Sequence, residues 1–134
     1  MKARYHGHRD KNHLSIARAL ERAGYSVQDT SGVAGFVDMI VSASPERTGI
    51  LEVKRPDRGR ITAASLETLA TWRGHAALIA TEEQALAFMR DPKHNGLTER
   101  QRGKMMLLAK QMRQKDQKEL AFSVFLKAME NIDD

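Results

Sequence analysis

Ile16, Ala19, Leu20 and Ala23 recur at three- and four-residue spacing, which predicts an amphipathic helix from Asp10 to about Ala23. Gly24 suits the left-handed position that closes such a helix, and Lys11, Ser15, Arg18 and Arg22 form the opposite, polar face. The period then shortens. Tyr25 to Gln28 reads as a short strand, and Ser31 to Gly35 as the approach to two β-type runs, Phe36 to Ser42 and Gly49 to Lys54. Ser44, Pro45 and Gly49 between those runs fit an antiparallel hairpin. Thr62 is placed to cap a helix to about Arg73 that buries Leu66, Leu69 and Ala70, and Ala76 to Ala80 reads as a further strand. Thr81 with Gln84 makes a capping-box pattern for a helix carrying Ala85, Leu86 and Met89, with Pro92 at its end.

Asp91 to Gly96 reads as a linker, and Thr98 with Gln101 opens another capped helix. From 98 to 130 there is no Pro and one Gly, Gly103, so one long helix or a pair of helices is expected. Met105, Leu108 and Met112 make one apolar stripe, and Phe122, Phe125, Leu126 and Met129 another. Helix, three strands, helix, strand, helix is an α/β arrangement with a mixed central sheet; the hairpin disfavours an all-parallel one. The division expected is a core over 1–90 with a basic N-terminal arm, and a helical basic extension of the same domain over 91–134.

Charge inside the two hairpin runs changes this picture. Asp38 falls among Val37, Met39, Ile40 and Val41, while Glu52 and Lys54 interrupt Ile50, Leu51 and Val53. Such groups are costly to bury unless paired or bound to a metal. Period-two alternation puts Glu52 and Lys54 on one face. Asp38 joins them if paired residue numbers sum to an even value, for example Asp38 opposite Lys54. Two converging carboxylates are favourable mainly with a cation between them, and oxygen ligands without Cys favour Mg²⁺ or Mn²⁺. Lys54 is then placed to orient water or to stabilise charge on a phosphate.

Asp38 followed by Glu52-Val53-Lys54 on the next strand resembles the PD-(D/E)xK nuclease superfamily, and within it the phage-type and virus-type replication-repair nucleases and Holliday-junction-resolvase-like proteins. The likeness covers residues 9 to 90 and includes Asp10 and Asn12 opening a helix, Gly35 before the Asp, Ile61-Thr62 opening a second helix and Trp72-Arg73-Gly74 closing it. It implies a restriction-endonuclease-like α-β-β-β-α-β core with a C-terminal helical extension. It also implies a metal-dependent deoxyribonuclease, endonuclease rather than exonuclease, with Asp38, Glu52 and Lys54 catalytic and Asp38, Glu52 and the Val53 carbonyl as metal ligands. Three departures stand out: Val37 where many relatives have Pro, Ser15 about where many carry a helix Glu, and Ser65-Leu66 in place of a polar pair. The Val37 change bears on the turn more than on the chemistry, while Ser15 and the missing polar pair support the alternative of a weakly active or inactive nucleic-acid-binding module on the same fold.

With 134 residues and no Cys, one domain without disulfides or thiolate metal sites is expected, in a reducing cytoplasmic setting. No apolar run approaches the length of a membrane span, so no membrane partner is expected. The net charge of +5 suggests a polyanionic partner, nucleic acid first, and the nuclease resemblance implies that it is DNA. Candidate DNA contacts are Arg9 in the basic arm, Lys11, Asn12 and Arg18 on the first helix, Arg55, Arg58 and Arg60 after the Lys54 strand, and Arg100, Arg102 and Lys104 in the tail. Between Leu97 and Lys118, seven positive side chains face two carboxylates, so the tail is either a helix packed on the core or a DNA-binding or dimerising arm. A homodimer and a place in a larger phage or replication assembly are both compatible with it. His6, His8 and His13 read as surface histidines near a terminus rather than a metal cluster.

Overall fold

A computed structural model describes residues 11–55, 57 and 59–131. Arg9, Asp10, Arg58, His6 and His8 lie outside the described residues, as does the side chain of Lys11. The elements are α1 (Lys11–Arg22), β1 (Ser26–Asp29), β2 (Met39–Ser44), β3 (Arg47–Val53), β4 (Arg60–Thr62), α2 (Ala63–Thr71), β5 (His75–Ile79), α3 (Glu82–Arg90), α4 (Pro92–Asn95), α5 (Glu99–Gln114), β6 (Glu119–Ala121) and α6 (Phe122–Asn131). Among the described residues, no helix is long and apolar enough to cross a membrane.

The main sheet has the order β1-β2-β3-β5. β1 to β3 are antiparallel neighbours and β3 pairs with β5 in parallel, so the sheet is mixed. Each face is covered because each presents apolar side chains to the helices. Val27, Met39, Val41, Leu51, Val53, Ala77 and Ile79 pack with Ile16 and Leu20 of α1 and Phe88 and Met89 of α3. On the other side Ile50 and Ala76, with Ile40 and Leu78 beside them, pack with Leu66 and Leu69 of α2, Met105, Leu108 and Met112 of α5, and Phe125 of α6. The tail therefore supplies one wall of the core.

Three expectations need correcting. The first hairpin strand begins at Met39 rather than Phe36, because the preceding residues fold into turns: Phe36 N–H donates to Val33 O, and Thr30 Oγ1 to Val37 O. The expected linker contains the short helix α4, whose N-cap is Asp91 and whose first residue, Pro92, lacks an N–H that a helix start does not need. Thirdly, the tail forms the pair of helices, α5 and α6, rather than one long helix, and between them lies an unexpected strand, β6, which pairs antiparallel with β4. Asp116, at φ 53, lies in the bend after α5. The capping boxes at Thr81/Gln84 and Thr98/Gln101 and the positive φ of Gly24 form as their residue types require.

Candidate active site

Asp38, Glu52 and Lys54 converge where β3 ends and β2 begins. Met39 pairs with Leu51 and Ile40 with Ile50, so the numbers sum to an even value; continuing one step brings Asp38 level with Glu52, not Lys54. The turn entering β2 is held from two places, the residue after β1 and the helix α2. Thr30 N–H donates to Asp38 O at 2.9 Å. Ser65 Oγ donates to Phe36 O at 3.0 Å and Thr68 Oγ1 to Gly35 O at 2.7 Å, both from α2. Gly35 adopts φ +76, a region that L side chains rarely adopt. Ser65, one of the departures from the nuclease pattern, thus anchors the backbone at Phe36, just before Val37-Asp38.

Asp38 reaches across to the neighbouring strand. Its Oδ2 accepts the Val53 N–H at 2.7 Å, and its side chain is 19% exposed. Glu52 is almost fully buried at 3%, with Oε2 3.8 Å from Lys54 Nζ. Burial holds the Glu52 carboxyl well above its ordinary range, the negative charge of Asp38 and a hydrogen bond to Asp38 push it further up, and Lys54 opposes them. Without a cation, these surroundings favour the protonated form of Glu52 over the ionised one.

A fourth member comes from α1. His13 is 3% exposed; its Nδ1 lies 3.9 Å from Asp38 Oδ1 and its Nε2 3.7 Å from Asp29 Oδ1. Asp29 is itself buried at the end of β1, where its Oδ1 accepts both the N–H and the hydroxyl of Ser31. His13 is thus not the surface histidine expected from its place near the N-terminus. It precedes Ile16 by three residues and Leu20 by seven, and that spacing on the apolar stripe is the signal that marks it as inward-facing. Asp29 follows Val27 by two on a half-buried strand, so its burial is legible by the same logic. Ser15 turns back on its own helix, donating to Asn12 O at 3.3 Å.

No group of three or more His, Asp and Glu side chains among the described residues is arranged to hold a metal ion. The donor set of Asp38 and Glu52 nevertheless fits a small hard cation, since two acidic oxygen ligands, one deeply buried, repel each other without one. Asp38 and Glu52 are the residues that would hold such an ion.

The candidate DNA contacts are spread out. Arg18 is exposed on α1, while Asn12 Nδ2 donates to Ala80 O at 2.7 Å and ties α1 to the end of β5. Arg55 pairs with Asp57 at 3.3 Å, and Arg60 with Glu119 at 2.7 Å across the β4–β6 ribbon. Arg102 donates to the carbonyls of Trp72 and of Gly74, the latter at 2.9 Å, so its guanidinium closes the C-terminal end of α2. Lys104 Nζ donates to Met129 O at 3.3 Å, and Arg100 is exposed. α2 has 9 residues, which separates its two ends by about 13 Å. Arg102 is therefore at the end of α2 remote from Ser65 and the carboxylates. Comparison with protein-family models, with curated proteins and with solved structures finds no match.

Proposed function

We propose that this protein is a Mg²⁺- or Mn²⁺-dependent nuclease that hydrolyses DNA phosphodiester bonds, built on a restriction-endonuclease-like core of the PD-(D/E)xK type. The observation that carries the reading is the convergence of Asp38 and buried Glu52 with Lys54 3.8 Å from Glu52. The order of elements supports it: one helix, three antiparallel strands, a helix and a parallel strand bring those residues to a common sheet end.

The metal, when bound, supplies an activated water and neutralises charge building on the phosphate. The chain's own residues do the rest. Asp38 and Glu52 hold the ion, and the Val53 N–H fixes Asp38 on the strand that carries Glu52. His13, backed by Asp29, stands behind Asp38 and limits its movement toward α1. Lys54 points its ammonium to the same side as Glu52, where it orients the attacking water and steadies the pentacoordinate phosphate. Arg55, at the start of the loop after β3, is within the same segment as Lys54 and favours a phosphodiester backbone there.

A second reading, a nucleic-acid-binding module with little or no cleavage, rests on α1. It brings Ser15 bonded to its own helix, and His13, rather than a third carboxylate. Cleavage of duplex, single-stranded and branched DNA with and without Mg²⁺ or Mn²⁺ separates the two readings. Metal-dependent cleavage lost in Glu52→Gln supports the nuclease; salt-sensitive binding with no cleavage supports the module.

A further inference from the structure

A cleft of about 370 Å³ runs along the outer edge of β5, within the size range of small-ligand sites, roughly 300–1,000 Å³. Leu78, Phe122, Phe125 and Leu126 contribute its apolar wall, and Gln84 and Gln101 its carboxamides. Among the described residues, no charged side chain lines it. Two neighbour relationships set it beside the carboxylate site. Leu78 is the register partner of Glu52, so the two side chains share one face of the sheet. From the other side, Gly59 lies against Lys54: a Cβ there would meet Lys54 Cδ at 3.1 Å. Gly59 O in turn accepts the N–H of Phe122, at the cleft wall, at 2.7 Å.

The edge of β5 adds polar groups. Lys54 N–H bonds Ile79 O on the inner side, so the peptide groups of Ala76, Leu78 and Ala80 face outward. Ala76 O accepts the Leu97 N–H, and the Ala80 N–H donates to Gln84 Oε1 at 2.6 Å. Leu78, between them, turns its peptide group to the cleft. Gln84 and Gln101 each give Oε1 to a capping box, which leaves the Nε2 hydrogens as donors at the wall.

We infer that this cleft receives one unstacked base of a DNA strand whose phosphate lies at Asp38, Glu52 and Lys54. The inference rests on the nuclease reading. An uncharged, largely apolar slot with a few fixed amide groups suits a flat heteroaromatic ring, and the charged phosphate attached to it stays at Lys54 and Arg55. The substrate class is then DNA with unpaired nucleotides, since a base held in a duplex stack cannot enter.

The test compares binding of a short oligothymidylate and an abasic oligomer of equal length to the full chain, in chelator and at fixed salt so that cleavage is silent. Leu126, 40% exposed at the cleft lip, is replaced in Leu126→Trp and Leu126→Glu; Val124→Trp, at a 50% exposed site away from the lining, is the control. The wild type and Val124→Trp are expected to prefer the base-bearing oligomer about tenfold, and both Leu126 variants to lose that preference while binding the abasic oligomer unchanged. Equal or absent binding of the two oligomers by the wild type overturns the inference, as does a preference that survives both Leu126 variants. A Leu126-dependent dimer without base preference also overturns it, in favour of a second copy in the cleft. Cleavage with Mg²⁺ is scored in parallel: cleavage without base preference removes only the base site, and base preference without cleavage removes only the nuclease reading.

Discussion

The Val53 N–H donates to Asp38 Oδ2 across 2.7 Å, so the first acidic residue of the site is fastened to the strand that carries the second. Asp38 and Glu52 then face each other without being free to separate. The burial and charge that raise the Glu52 carboxyl follow from that arrangement.

Glu52 links stability to pH. Its carboxyl keeps a proton in the fold at pH values where the unfolded chain, with an ordinary value of 4.5, has released it. The folded state then binds more protons, so the metal-free protein loses stability as pH rises above 4.5 through the raised folded value. Glu52→Gln removes this dependence and is the more stable protein at the alkaline side. Thermal melting from acid to neutral pH, in chelator, checks it.

His13→Ala empties a buried site between two aspartates. Loss of packing and exposure of Asp29 and Asp38 to each other are expected to cost about 2–3 kcal/mol. Urea unfolding at neutral pH measures this, and a cost near zero would show that His13 does not brace the two carboxylates.

Arg102→Ala is expected to destabilise by about 2 kcal/mol, since a charged donor to the carbonyls of Trp72 and Gly74 is lost. DNA affinity of the folded variant should change little, because its guanidinium faces the protein. A large loss of affinity with unchanged melting would reverse that assignment.

Deleting everything after Arg90 is expected to abolish folding. Met105, Leu108, Met112 and Phe125 fill the core cluster with Ile50 and Leu66, and exposing that surface favours aggregation. Circular dichroism and solubility of the truncated chain decide it; a folded, soluble product would make the tail an appendage.

Much of this is legible in the sequence. Periodicity places α1, short apolar runs place β3 and β5, and explicit caps place the starts of α2, α3 and α5. Even-sum pairing is required for Asp38 to meet Glu52, and the register satisfies it. β4 and β6 leave no such trace, because each has three residues and is set by pairing with a distant segment rather than by local pattern. His13 and Asp29 are obscured by their polarity, although both lie on the apolar period of their elements. The role of Arg102 depends on carbonyls 28 and 30 residues away and has no local signature.

The most direct measurement is divalent-metal-dependent cleavage by the wild type, Asp38→Asn, Glu52→Gln and Lys54→Met, each checked for folding, on a panel of duplex, single-stranded and branched DNA. Mg²⁺ or Mn²⁺ is expected to raise the melting temperature and support cleavage in the wild type. The two carboxylate variants should lose both effects. Lys54→Met should keep metal stabilisation and lose cleavage by about a hundredfold or more. Cleavage that persists in folded Asp38→Asn and Glu52→Gln, or a wild type inert toward every DNA with either metal, would contradict the account.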